Sequence, residues 1–404
     1  MTSAATADAG APAASPKAPG LQSLSPWWFA AAAVVSFGGP LALAALYAPL
    51  AVDDVTSAAG FVTLLAPVIF AIPLLVWLRY SREIAGPGGL YGFVEAAAGQ
   101  KVARVHGALW VFSYALYLIY TTAYVVYDVL PAVSPRFISY RSTLEVLLPI
   151  GIAAAVLAGR RTTMVVLAVI AVGQLVLAGF LDVVALGHSP TASALQSHEQ
   201  PHATALAVGS VALLFVCGSL PLYLGGEVER PHRTIRRVLP SVFVLTAVVV
   251  VLAVLPMAVD PAFTRAAIPG MSLVRVDVGS SAAVAVGLGV AASVVGVMVL
   301  EYVALTRLAY AVTGRSTQTA ARWLAVPLVL AGPISLVNPD AFYDDLLKPS
   351  LVALWLSQLI VMAVFPLYAR ARGRLRPMHL LMGTAGSAVM LFGLWSTLYG
   401  SSST

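Results

Sequence analysis

Runs of about twenty consecutive, mostly apolar residues recur along almost the whole of this 404-residue chain, and they limit its fold more than any other feature. A helix needs roughly 20 such residues to cross a bilayer. The runs fall at about 27–51, 57–78, 105–130, 143–159, 162–185, 205–228, 238–259, 279–305, 321–337, 349–369 and 378–399, the fourth and ninth being the shortest. Charge is correspondingly scarce: 10% of residues are charged and 60% hydrophobic, where an average soluble domain carries roughly 25% charged residues. So few charges cannot cover a water-exposed surface of this size. The chain therefore reads as an all-α integral membrane protein of about 11 transmembrane helices, with the lipid bilayer as its partner. Residues 1–24 are mostly Ala, Pro, Ser and Thr with one lysine. They read as a disordered tail before a transmembrane unit at 25–400, because this composition buries too little apolar surface to fold. The tail lacks the charged and apolar regions of a cleaved signal peptide.

The net charge of +6 raises the question of nucleic acid, but the placement of the basic residues answers it otherwise. With the N-terminus in the cytoplasm, 18 of the 23 Lys and Arg residues lie inside, leaving Arg136, Arg141, Arg265, Arg275 and Lys348 outside. This is the positive-inside pattern. It predicts a multi-pass protein of the cell (inner or plasma) membrane with a cytoplasmic N-terminus, and no nucleic-acid partner. An odd helix count puts the C-terminus outside. Cys217 is the sole cysteine, so no intramolecular disulfide forms.

Two spans are interrupted near mid-depth. The first contains Ser36-Phe37-Gly38-Gly39-Pro40 and the sixth Cys217-Gly218-Ser219-Leu220-Pro221. Glycine adds backbone freedom and proline lacks an N–H, so neither stretch favours a continuous helix. Broken backbone at membrane depth must line a cavity or be buried in protein. If five helices form one repeat, the breaks occupy corresponding positions, and the odd number inverts the second repeat. Paired interruptions of this kind point to a solute site at the repeat interface. Gly and Pro are also common in ordinary membrane helices, so packing alone is the competing explanation.

Three segments carry a family resemblance. Gly225-Gly226-Glu227-Val228-Glu229-Arg230-Pro231-His232-Arg233-Thr234-Ile235-Arg236-Arg237 resembles the junction after the sixth helix of amino acid–polyamine–organocation (APC) permeases. Gly88-Gly89-Leu90-Tyr91-Gly92-Phe93-Val94 resembles their approach to the third helix, and Thr306-Arg307-Leu308-Ala309-Tyr310-Ala311 their signature after the eighth. The three occur in family order, over roughly residues 27–370. The resemblance implies two inverted five-helix repeats (27–185 and 205–369), one extra helix (378–399), and alternating access to a central site for amino acids or related amines. Movement with protons or against a counter-substrate is implied as well. The sequence departs from the family in having eleven spans rather than twelve, and in Ser36-Phe37-Gly38-Gly39 where Gly-Ser/Thr-Gly is usual. Leu220 stands where an acid is frequent, and Gln174 where proton-coupled members place a lysine.

On this reading a substrate carboxylate sits on main-chain N–H groups near Ser36, Gly38 and Gly39. The amino group meets carbonyls at Cys217, Gly218 and Ser219. Phe37, Tyr114, Tyr117, Leu220 and the facing part of the tenth helix select the side chain. A neutral amino acid is favoured, since few charges fall in the site. Tyr114, Tyr117, Tyr120, Tyr124 and Tyr127 share one helical face. The first two read equally as pathway or packing, and Tyr124 and Tyr127 as part of an interfacial belt. Glu301 and Gln174 are the coupling candidates. An ionisable group at membrane depth is a functional hypothesis by default, but Glu301 also reads as an interfacial acid paired with Arg307. Glu227 and Glu229 read as cytoplasmic ion pairs, and Asp128 and Asp182 as interfacial. The spacing of His198 and His202 fits a metal only on a regular helix, which Pro201 disfavours, so neither a metal nor a cofactor is expected.

No phosphate-binding Gly-x-x-x-x-Gly-Lys-Ser/Thr loop, His-Glu-x-x-His pair or Gly-x-Ser-x-Gly turn occurs, and the loops are too short for an enzyme domain. A secondary transporter is therefore the favoured class, with an enzyme not expected. A channel or a non-transporting sensor of the same fold is the alternative.

Overall fold

A computed structural model describes residues 23–188, 199–258 and 260–399. Among the described residues there are eleven long helical segments and no sheet. Ten are long and apolar enough to cross a membrane: α1 (Pro26–Ala51), α2 (Asp53–Tyr80), α3 (Gln100–Val133), α4 (Pro135–Leu157), α5 (Arg160–Ala185), α6 (Pro201–Glu227), α7 (Pro231–Met257), α8 (Ser280–Thr313), α10 (Pro339–Ala371) and α11 (Pro377–Tyr399). The ninth predicted span forms α9 (Thr317–Ser335), a helix of 19 residues. Thr317, Gln318, Thr319 and Arg322 in its first turns lower its apolar character, so it falls outside the ten. Its N-terminus is capped by Ser316, whose hydroxyl accepts from the Thr319 N–H.

Several helix pairs recur when each helix is exchanged for the one five places on, whereas the contacts of α5 with α1 and α7 do not. α3 packs on α10 as α8 packs on α5; α2 on α6 as α7 on α1; α3 on α9 as α8 on α4. The pairs α1–α6, α2–α7, α3–α8 and α4–α9 map onto themselves. α11 has no counterpart and lies against α10, α2 and α6. α1, α2, α3, α5, α6 and α11 lie within five residues of their predicted bounds, whereas α4 and α7 begin and α8 ends seven or eight residues beyond theirs. α10 begins ten residues earlier than its apolar run, because Pro339 suits the first turn and Asn338 caps it by accepting from the Ala341 N–H at 3.2 Å.

Ordered structure starts before residue 25. Leu24 is buried and forms a parallel bridge with Val228, donating to the Glu227 carbonyl and accepting from Glu229 N–H. The predicted tail therefore includes at its end two residues, Ser23 and Leu24, that are pinned beneath α6; residues 1–22 lie outside the described residues.

Candidate functional site

α1 breaks where its sequence predicts. Helix ends at Ser36, Gly38 and Gly39 take φ of +71° and +70°, and helix resumes at Pro40. Only glycine adopts this left-handed backbone without strain. The next turns widen into a π-helix at Leu43–Tyr47. The first N–H groups after the break have no helical acceptor, and they belong to Leu41 and Ala42 because Pro40 has none.

The α6 break lies slightly earlier than expected. Its α-helix ends at Leu213, residues 214–215 turn, and Val216–Glu227 continue as 3-10 helix. Cys217, Gly218, Ser219 and Leu220 are thus inside the tighter helix rather than at its start. Pro221 cannot donate to the Gly218 carbonyl three residues back, which leaves that acceptor without its 3-10 partner.

Between the two breaks lies a cavity of about 200 Å³. α1 contributes Gly38, Leu43 and Tyr47, and α6 contributes Leu213, Leu214, Val216 and Cys217. α3 supplies Tyr117, Tyr120, Thr121 and Tyr124, α8 supplies Val294 and Val297, and α10 supplies Tyr343, Leu347, Leu351 and Leu354. None of these side chains is charged. On the side predicted to face out, Tyr124 stacks on Tyr47 at 6.2 Å and on Tyr343 at 5.3 Å, with Tyr120 edge-on to Tyr343 at 5.5 Å. On the other side Trp110 packs between Tyr114 at 4.2 Å and Tyr223 at 4.4 Å. Beyond that floor, Glu227 of α6 is buried and paired with Arg307 of α8 at 2.9 Å and with Arg160 at 3.6 Å.

Of the residues expected at the site, Gly38, Tyr117 and Cys217 line the cavity. Tyr114 sits just behind, its hydroxyl donating to Cys217 Sγ at 4.0 Å. Ser36 gives its hydroxyl to the Ala33 carbonyl at 2.7 Å. Phe37 is wholly buried against Phe243, at 5.7 Å, and its ring covers Gly218, where any Cβ would collide with it. Ser219 donates to Val216 O and accepts from the Gln358 amide of α10 at 3.3 Å. Leu220 is fully buried in the core. Gly39 meets Gln174 of α5 and Ser293 of α8, which a Cβ there would strike at 2.6 and 2.9 Å. Gln174 is 2% exposed, and neither its amide oxygen nor its nitrogen has a protein partner.

Glu301 is not paired with Arg307. It is fully buried, both its oxygens lack a hydrogen-bond partner, and Arg307 is engaged by Glu227 instead. It follows the cavity-lining Val297 by four residues, hence one turn lower on the same face of α8. Tyr114, Tyr117, Tyr120 and Cys217 lie within its electrostatic reach. Tyr124 lines the cavity wall, and Asp182 is buried. His188 pairs with Asp277 at 2.6 Å and His202 packs edge-on to Trp395, while His198 lies outside the described residues.

Tyr47, Tyr343 and the leucines of α10 escaped the sequence reading. For α10 the signal was present: Asn338-Pro339-Asp340 starts a helix, and Tyr343, Leu347, Leu351 and Leu354 follow at helical spacing.

The three segments that carry the family resemblance also meet in space. Glu227 reaches Arg307, Gly88 lies against Ala311, and Gly226 abuts Pro87, which directly precedes Gly88. The fold and site therefore define the class: an all-helical, multi-pass membrane protein with a cavity between two broken helices. No protein-family model matches the sequence, and no curated protein matches it significantly. Among solved structures, the crystal structure of MhsT in complex with L-phenylalanine is similar over 93% of this chain and 99% of that one, with a TM-score of 0.63 and 17% identity. The fold is thus shared with MhsT.

Proposed function

We propose that this chain is a secondary active transporter or exchanger of a neutral amino acid, working by alternating access. The observation that carries the reading is the cavity itself, lined from both helix breaks and flanked by clusters of aromatic rings. A zwitterion's carboxylate suits the positive end of the half-helix restarting at Pro40, and its ammonium suits the Gly218 carbonyl. The uncharged lining of tyrosine and leucine favours an apolar side chain. MhsT, the structural neighbour, holds L-phenylalanine, which is in keeping with this choice.

Residues 27–185 and 205–369 act as the two repeats and 378–399 as the extra helix, with the N-terminus in the cytoplasm of a cell membrane. Glu301 is the group to which we assign coupling. An unpaired carboxylate in a dry interior is costly and neutralises by taking a proton, so binding and release of that proton would accompany opening of the floor. Gln174 fills the adjoining site as an uncharged amide. An amino acid panel tested for thermal stabilisation of the purified protein checks the site: neutral apolar amino acids should raise the melting temperature, and Gly38→Leu should remove the effect. Stabilisation that persists in the variant would move the site elsewhere.

A further inference from the structure

A second and larger cavity, about 490 Å³, lies where α2 ends, α10 ends and α11 begins. Its wall carries five guanidinium groups, those of Arg79, Arg82, Arg372, Arg374 and Arg376, against one carboxylate, Glu83. That carboxylate is already committed: it is paired with Arg372 at 2.5 Å and Arg374 at 2.6 Å and accepts from the Tyr368 hydroxyl at 3.1 Å. Arg372 is further fixed over the Tyr368 ring, 3.8 Å from its centroid. Arg79, Arg82 and Arg376 have no acidic partner among the described residues. Partial desolvation, and to a lesser degree the neighbouring Arg79 and Arg236, pushes the Arg82 guanidinium down from its usual range.

Positive charge gathered around a cavity attracts an anion, and guanidinium forks match phosphate oxygens in pairs. The position narrows the choice. All three helices meet the membrane border here, and beside the arginines stand Leu375, Met378 and Leu381, exposed at 42%, 56% and 62%. Apolar surface next to a basic pocket at that depth fits a molecule that is both anionic and oily.

We propose that this pocket binds the phosphate of an anionic lipid headgroup, with the acyl chains lying along the start of α11. Phosphate contacts fall to Arg82 and Arg376, and the Glu83-bound Arg372 and Arg374 form the rigid wall. The site is separate from the central cavity and does not depend on what that cavity carries.

The test uses the full-length protein in nanodiscs of phosphatidylcholine with and without phosphatidylglycerol, read by native mass spectrometry for retained lipid and by melting temperature. Wild type should retain phosphatidylglycerol and be stabilised by it. At about 1 kcal/mol per arginine, Arg82→Gln with Arg376→Gln should weaken retention roughly 30-fold. The charge-matched control, Arg233→Gln with Arg237→Gln on the exposed start of α7, should leave it unchanged. Arg82→Lys with Arg376→Lys, which keeps the charge but loses the fork, guards against simple misfolding and should give an intermediate affinity. Inorganic phosphate that competes with the lipid and stabilises detergent-solubilised protein equally would support the phosphate site and assign it to a soluble anion. Equal lipid retention by wild type and the Arg82/Arg376 variant, or equal loss in the Arg233/Arg237 control, would overturn the proposal.

Discussion

At the scale of single residues, the account rests on Gly38 and Glu301. Gly38 holds φ at +71°, and a Cβ there would meet Leu43 and the Leu214 carbonyl at 2.7 and 3.2 Å. A left-handed backbone costs an ordinary residue roughly 1–2 kcal/mol, and a leucine adds a clash inside the cavity. Gly38→Leu should therefore lose substrate binding while the protein still runs as a monodisperse species on size exclusion; ordinary binding by this variant would contradict the placement. Glu301 makes a different prediction. If its proton moves with the conformational change, Glu301→Gln should lose pH-dependent accumulation but retain one-for-one exchange of labelled substrate. The pH profile of uptake checks this, and an unchanged profile in the variant would remove Glu301 from the coupling step. The glycines were legible in the sequence because backbone conformation is dictated locally. The pairing state of Glu301 was not, since it depends on Arg307 being claimed by Glu227, eighty positions earlier in the chain.

At the scale of elements, the two ends of the cavity are closed by different physics. The floor beyond Trp110 is fastened by the buried ion pair of Glu227 and Arg307. Removing one partner of such a pair typically costs about 3–5 kcal/mol, because the other charge is left buried and alone. Arg307→Ala should accordingly lower the melting temperature and make a cysteine placed at the floor more reactive from the side predicted to be cytoplasmic. Unchanged labelling would mean that the pair does not hold the floor shut. The opposite end is closed by stacked rings, which separate at smaller cost, about 0.5–1.5 kcal/mol per aromatic pair. Tyr343→Ala, which removes two such pairs, should therefore speed substrate dissociation at a cost in stability of about 1–3 kcal/mol, measured by release of bound label. The sequence made the break in α1 plain, as two glycines and a proline coincide there. The α6 break was displaced by three residues because Pro221 removes a donor, whereas the chain relieves the loss upstream, at Leu214 and Phe215. The aromatic lid was hidden because Tyr47 and Tyr343 lie 296 positions apart and meet only after the helices pack.

At the scale of the whole molecule, helix pairs such as α3–α10 and α8–α5, or α2–α6 and α7–α1, recur five places apart, as the proposed pair of repeats with a site between them requires. Apolar run lengths revealed ten crossing helices directly. α9 is the marginal one, a helix packed by one face on α4 and α8 whose polar first turns obscure its apolar body. The most direct test of the central claim is solute counterflow. Proteoliposomes containing the protein are preloaded with one neutral amino acid and offered the same compound carrying a label. The account predicts transient accumulation of label for an apolar amino acid, and none for Gly38→Leu. A channel cannot concentrate label in this way, and a sensor moves no label at all. Failure of every amino acid and amine to accumulate, with the protein shown to be folded in the vesicles, would contradict the assignment of this cavity to amino acid transport.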